Sequence, residues 1–290
     1  MRCKGLIAAH RWIDSRDDLE STRGMVLEYL GRLPYLTDFH IVSEVDTTTL
    51  PLHYLINGSL QQLAIEHISG TLSNHKQLIS SLATVFTHNP RLTHLELDYK
   101  SRLLPFQDLF YGVPSESVQL RSLTLRGWSI RVTPQVWPHL QSLHSINFPP
   151  YFDNNQIPLW KSFATLSPGS LPLSRIVTSK VSEELLTLLK SPRIRCLEAL
   201  VFERAKSDRL GQEFYNDVFP RHRHTLRELS IIPRSGGDWA IGLRNLDVFD
   251  ECGQLTRLTV GLAPEEIDLG EGESDIVVRV SLSLWIIKKR

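Results

Sequence analysis

The sequence predicts an α/β fold in which a strand–turn–helix unit repeats along the chain. Stacked, the units form a curved solenoid with a parallel sheet on the concave face and helices or loops on the convex face. Three observations predict it. Leucine is in excess, 46 of 290 residues or about 16%, against 2 methionines. The longest apolar candidate, Ile276 to Ile287, is interrupted by Arg279 and two serines, so the excess does not belong to a membrane span. And one short phrase, Leu, two residues, an aliphatic or Phe, one residue, another apolar, returns at a nearly constant interval.

The phrase reads Leu36-Thr37-Asp38-Phe39-His40-Ile41 and then Leu60-Gln61-Gln62-Leu63-Ala64-Ile65. Clearer copies open at Leu92, Leu120 and Leu143, a poor one at Leu173 (Leu173-Ser174-Arg175-Ile176-Val177-Thr178), and three more at Leu197, Leu226 and Leu255. Successive starts are 24, 32, 28, 23, 30, 24, 29 and 29 residues apart. Alternate apolar positions in a short strand point to one side, and the residues between them to the other.

Helical spacing fills several of the connections. Over 74–88, Leu78, Leu82, Val85 and Phe86 make an apolar stripe, Asn74 is placed to cap and Asn89-Pro90 ends the run. Val181 to Lys190 behaves likewise, with Ser182 as cap and Leu185, Leu186 and Leu189 as the stripe. Asp17–Leu30, Gly211–Phe219 and Asp238–Phe249 are weaker helices. Elsewhere Pro134, Pro138, Pro149, Pro150, Pro158, Pro168 and Pro172 predict short helical turns or irregular loop. A lone unit buries too little to stand. Stacking of neighbours has to bury the stripes.

The chain therefore divides into 1–35, an N-terminal helical segment or partial repeat; 36–262, about eight or nine irregular repeats; and 263–290, an acidic loop and terminal strand. In that last part Ile276, Val278, Val280, Leu282, Leu284 and Ile286 alternate but the phrase is missing. The expectation is a fragment of a longer protein whose last 14 residues are not native.

At these phrases the chain resembles the irregular intracellular leucine-rich-repeat proteins, and most nearly the fungal F-box/leucine-rich-repeat-like group, over roughly residues 30–262. The resemblance implies a solenoid that holds a protein substrate. It also implies docking on the Skp-type cullin adaptor, if an F-box exists outside this chain. Two departures stand out. Leu50-Pro51-Leu52-His53-Tyr54-Leu55-Ile56 has a Leu-Pro opening, but a phrase begins at Leu60, so it reads as an inter-repeat helix or loop. The consensus asparagine eight residues after the first leucine is replaced by Glu44, Ile68, Lys100, Trp128, Tyr151, Val181, Ala205, Arg234 and Ala263, so the turns are expected to be satisfied locally.

Charge and cysteine narrow the function classes. Lys+Arg and Asp+Glu are equal at 32, which leaves no net field to draw nucleic acid or a membrane. Cys3, Cys196 and Cys252 form no pair at metal-ligand spacing, which predicts reduced, buried thiols in the cytoplasm or nucleus. Gly5 to Ala9 is too short for a signal-peptide core. No phosphate loop, nucleophile elbow or zinc helix occurs. His222 and His224 read as a solvated basic turn and the run 265–275 as a solvated acidic loop. No cofactor, no metal and no catalytic set is expected, and the chain reads as a non-catalytic scaffold. The alternatives are an enzyme or nucleotide-binding protein with its site on the inter-repeat loops, and a fragment without function.

A protein partner would meet the outward strand positions of the concave face. His94, Glu96, Asp98, Arg126, Asn147, Glu203, Glu228 and Arg257 are the candidate binding residues. Their mix of charge, hydroxyl and small neighbours suits a protein surface better than a phosphate backbone or a deep pocket.

Overall fold

The structure is a computed structural model describing residues 4–8, 16–42, 50–68, 75–99, 104–149, 156–166, 169–206, 208–233, 238–241, 248–261 and 277–281. It divides into two compact units, Met1–Leu143 with Asn154–Ser162 and His144–Asp153 with Phe163–Arg290.

The first unit contains β1 (Lys4–Ala8), α1 (Arg16–Gly31), β2 (Asp38–Val42), β3 (Gln62–Ile68), α2 (His75–His88), β4 (His94–Tyr99), β5 (Leu104–Pro105), β6 (Ser122–Arg126), β7 (Trp128–Ser129) and α3 (Trp137–Leu140). Its sheet runs β1-β2-β3-β4-β6, all parallel, and β5 pairs with β7 beside it. Leu50–Ile56 folds as a short 3-10 turn, Leu52–Tyr54, in keeping with the inter-repeat reading.

The second unit contains β8 (Ser145–Phe148), α4 (Ile157–Leu166, of which the first unit holds the part through Ser162), β9 (Arg175–Thr178), α5 (Glu183–Lys190), β10 (Ala199–Ala205), α6 (Asp208–Glu213), α7 (Phe219–His222), β11 (Glu228–Pro233), β12 (Arg257–Gly261) and β13 (Val277–Ser281). Strands β8 to β12 are parallel. β13 reverses direction and pairs antiparallel with β12.

Each of the nine phrases opens a strand two residues after its first leucine. The apolar positions of the first eight are buried, whereas Leu255 and Leu258 of the ninth are only half-buried. The poor copy at Leu173 survives its Thr178 because the buried hydroxyl donates to the Lys180 carbonyl at 3.2 Å and accepts from its N–H at 3.1 Å. A buried hydroxyl with both bonds made costs little.

The strands are also stitched at their starts. Two successive N–H groups of one repeat donate to the carbonyl of the second phrase residue in the repeat before. Thr93 and His94 donate to Gln61, Arg121 and Ser122 to Thr93, Glu198 and Ala199 to Ser174, and Arg227 and Glu228 to Glu198, all between 2.7 and 3.1 Å. This shared acceptor fixes register, because a one-residue slip would turn every apolar side chain to the wrong face.

Most helices match the expected stripes. Ser182 caps α5, its Oγ accepting from the Leu185 N–H at 3.3 Å. Asn74, the expected cap of α2, lies outside the described residues. Two connections differ. Pro158 sits in the first turn of the ten-residue helix α4 rather than in a loop, a position where its missing N–H has no intrahelical partner to lose. Of the helix expected over Asp238–Phe249, residues 242–247 lie outside the described residues, and its start is a turn through residue 240. There Trp239 is buried, its indole N–H donates to the Lys206 carbonyl at 3.0 Å, and the Ile241 N–H donates to the Gly261 carbonyl at 2.8 Å. Those bonds to other segments keep residues 238–241 out of a helical turn. Among the described residues, no helix is long and apolar enough to cross a membrane.

Candidate functional site

In each unit, one face of the sheet carries the polar residues between the buried apolar ones. In the first unit, the register places Asp38, Gln62, His94 and Ser122 in one cross-strand row and His40, Ala64, Glu96 and Thr124 in the next. Asp98 is directly opposite Arg126. His94 is exposed and Glu96 and Arg126 are half-buried, but Asp98 is only 5% exposed. Its burial is tolerated because the Arg126 guanidinium donates to its Oδ2 at 2.7 Å. On the neighbouring strands His40 Nε2 stands 2.8 Å from Glu66 Oε1.

Glu96 lies between those two pairs and is bonded to neither. Among the described residues it makes no hydrogen bond or ion pair. Burial, and then the nearby Glu66 carboxylate, push its pKa above the usual carboxylate range, and His40 and Arg126 only partly offset them.

In the second unit, Arg175, Ala199, Glu228 and Arg257 share one row, and Asn147, Val177, Val201, Ser230 and Thr259 the next. Arg175 reaches across the short Ala199 to bond Glu228 at 2.5 Å, which gives the face a charge bridge over an apolar floor. Asn147 is half-buried and Arg257 exposed. Glu203 falls where the β10–β11 register shifts, so it is out of step with the rows. Seven of the eight candidate residues thus form two groups, and Glu203 stands apart. His94, Glu96, Asp98 and Arg126 are together in the first unit, and Asn147, Glu228 and Arg257 lie on one strand face of the second. Arg175 was missed because it sits in the weakest phrase.

A depression of about 500 Å³ opens elsewhere on the first unit, lined by Gln107, Asp108, Phe110, Tyr111, Pro134 and Pro138 among others. Its lining supplies one carboxylate and no His, Lys, Arg or Cys. Among the described residues no group of three or more His, Cys, Asp or Glu side chains is placed to hold a metal ion.

The missing asparagine ladder has a replacement of a different kind. Three or four residues before a phrase, one polar side chain reaches back to a carbonyl of the preceding repeat. Asn57 donates to Leu33 at 3.1 Å, Asn89 to Leu55 at 2.7 Å, His139 to Val118 at 2.8 Å, Arg193 to Phe163 at 3.3 Å, and His222 to Leu189 at 2.8 Å. The turns are therefore satisfied between repeats as well as locally. His222 is buried rather than part of a solvated basic turn, while His224 is exposed. Nor are both described thiols buried. Cys196 is exposed, and Cys252 is half-buried with its pKa pushed up to about 11 by burial.

The two histidine pins predict a pH dependence. Each ring donates one N–H to a carbonyl, and its other nitrogen, His139 Nε2 or His222 Nδ1, is buried without a partner. Protonation would leave a buried cation, so burial lowers both pKa values below the usual histidine range, with Arg221 adding to the effect at His222. Between the folded and unfolded pKa values the unfolded chain binds more protons, so stability falls as pH drops below about 6.5. The limiting slope is about 1.4 kcal/mol per pH unit for each ring. Urea titrations from pH 7.5 to 5.5 should show the midpoint falling, and His139→Gln with His222→Gln should flatten the profile. A flat wild-type profile would refute the pins.

No family model matches the chain, and no curated protein matches it. Among solved structures, a leucine-rich-repeat protein of Leptospira interrogans is similar to it with a TM-score of 0.34 and 11% identity, covering 79% of this chain and 67% of that one.

Proposed function

We propose that the chain is a non-catalytic protein-interaction module, built as a leucine-rich-repeat solenoid whose partner docks on the strand face. The observation that carries this reading is the nine-fold agreement between phrase and strand. It leaves a row of outward side chains beside each buried apolar one, mostly polar in the first unit and mixed with Val177, Ala199 and Val201 in the second, which suits a broad surface better than a cleft. The narrower form, the substrate-reading part of an F-box-type ubiquitin-ligase receptor in the cytoplasm or nucleus, rests on the family resemblance of the phrases alone.

The test uses surface blocks. His94→Trp and Arg257→Trp each add bulk at an exposed strand position without touching the core. A partner captured by the wild-type chain should be lost by one or both and kept by Tyr111→Ala at the depression. The reverse pattern would move the function to the depression and revive a small-molecule reading. For the ligase form, the longest product of the transcript should bind a purified Skp-type adaptor. Failure to bind removes the ligase and leaves the module.

A further inference from the structure

On the face of the first unit, one half-buried carboxylate is left out of the pairings that its neighbours make. Arg126 is engaged by Asp98 at 2.7 Å and His40 by Glu66 at 2.8 Å. Glu96 stands between them, half-buried and with no ion pair or hydrogen bond among the described residues. Its row neighbours are short, Ala64 on one side and Thr124 on the other. Within the row, then, no bulky neighbour flanks Glu96 against a long side chain that arrives from outside.

We infer that Glu96 is the receptor for a lysine or arginine side chain on an extended segment of the partner protein. This deepens the interaction reading above and rests on it. A cation placed between Ala64 and Thr124 would lay its aliphatic stem on the short side chains and bring its charge to the Glu96 carboxylate. It would also relieve the repulsion of Glu96 by Glu66 and Asp98, which adds to burial in lifting the Glu96 pKa. The occupant is an organic cation rather than a metal ion, because the described His, Cys, Asp and Glu side chains nowhere converge as ligands. Arginine is favoured over lysine where both carboxylate oxygens are reached, since its planar fork makes two parallel bonds.

A repulsive, half-buried carboxylate kept without a partner of its own is also a stability cost. Glu96→Gln has the same shape and removes the charge, so its melting temperature should equal or exceed that of the wild-type protein.

The experiment is a selection from a random twelve-residue peptide library displayed on phage, run on the wild-type chain. The expected winners carry Arg or Lys at a fixed position and bind Glu96→Gln about tenfold more weakly or worse. They should bind Glu198→Gln, an exposed carboxylate of the second unit, as well as the wild type. Raised salt should weaken the wild-type complex and leave the Glu96→Gln complex nearly unchanged. Winners without a fixed cation, or with equal affinity for Glu96→Gln, overturn the inference and leave the interaction module standing. A selection that yields no winner also overturns it, and the module is then judged by the His94→Trp and Arg257→Trp captures, which do not depend on the library. A Glu96→Gln protein that melts well below the wild type would show the carboxylate to be a structural group and sink the inference by itself.

Discussion

Gly127→Ala should lower the melting temperature of the chain by roughly 10 °C, the largest effect of any single methyl group. Two separate costs meet at this position. Its φ of +75° lies in the left-handed region, where a side chain costs about 1–2 kcal/mol. In addition, a Cβ there would stand 1.9 Å from the Tyr99 carbonyl oxygen and 2.8 Å from its carbon. That oxygen closes the end of β4 and cannot yield like the tip of a side chain. The Tyr99 ring is held in turn, edge-on to His75 at 5.3 Å and to Trp128 at 6.4 Å, so the strand end cannot swing away. The sum is about 4 kcal/mol, and each kcal/mol moves the melting point of a chain this size by about 2–4 °C. Gly112→Ala separates the two costs. Its φ is also positive, at +78°, but nothing lies within 4 Å of its Cβ, so it should lose only the backbone part. If the two variants melt together, the close approach of β4 to Gly127 is wrong.

Asn89→Ala should cost nearly as much, about 3–5 kcal/mol, although the removed group is small and polar. Asn89 is fully buried. Its amide donates to the carbonyls of Leu55 at 2.7 Å and Val85 at 2.8 Å, and its oxygen accepts from the Leu60 N–H at 3.4 Å. Alanine leaves the Leu55 carbonyl and the Leu60 N–H without that partner among side chains that exclude water. Each buried orphan costs about 1–3 kcal/mol. Asn89→Asp should be worse near neutrality, because it retains the acceptor, loses the donors and buries a charge, and it should recover in part on acidification. Equilibrium urea unfolding measures all three proteins, and an alanine variant within 1 kcal/mol of wild type would show that Asn89 is not a pin.

The leucine phrase made much of this fold legible. Its period is set by backbone geometry: positions 1, 4 and 6 must face inward whatever lies between. The helices with an uninterrupted stripe, α2 and α5, were equally clear. The hidden features depend on partners distant in sequence. Asp98 looked like an exposed acid until Arg126, 28 residues on, was placed opposite it. His139 and His222 have nothing local to mark them as buried, since each is defined by a carbonyl of the preceding repeat. Trp239 holds the start of an expected helix in a turn by bonding Lys206, 33 residues earlier. At the candidate site, the residue types could be named but not their pairings: nothing local says that Arg126 and His40 are already engaged while Glu96 is not.

The pins also explain how so uneven a period can be carried by a regular sheet. Each one grips the preceding repeat just before its own strand begins, so at those five repeats register is settled upstream of the strand, independently of the connection on its far side. A repeat can lengthen from 23 to 32 residues without the change being passed down the chain. The chemical identity of the grip is free as well, since an amide, an imidazole and a guanidinium all serve. Such a scaffold absorbs insertions one repeat at a time, and its loops can diverge while the strand face keeps its spacing.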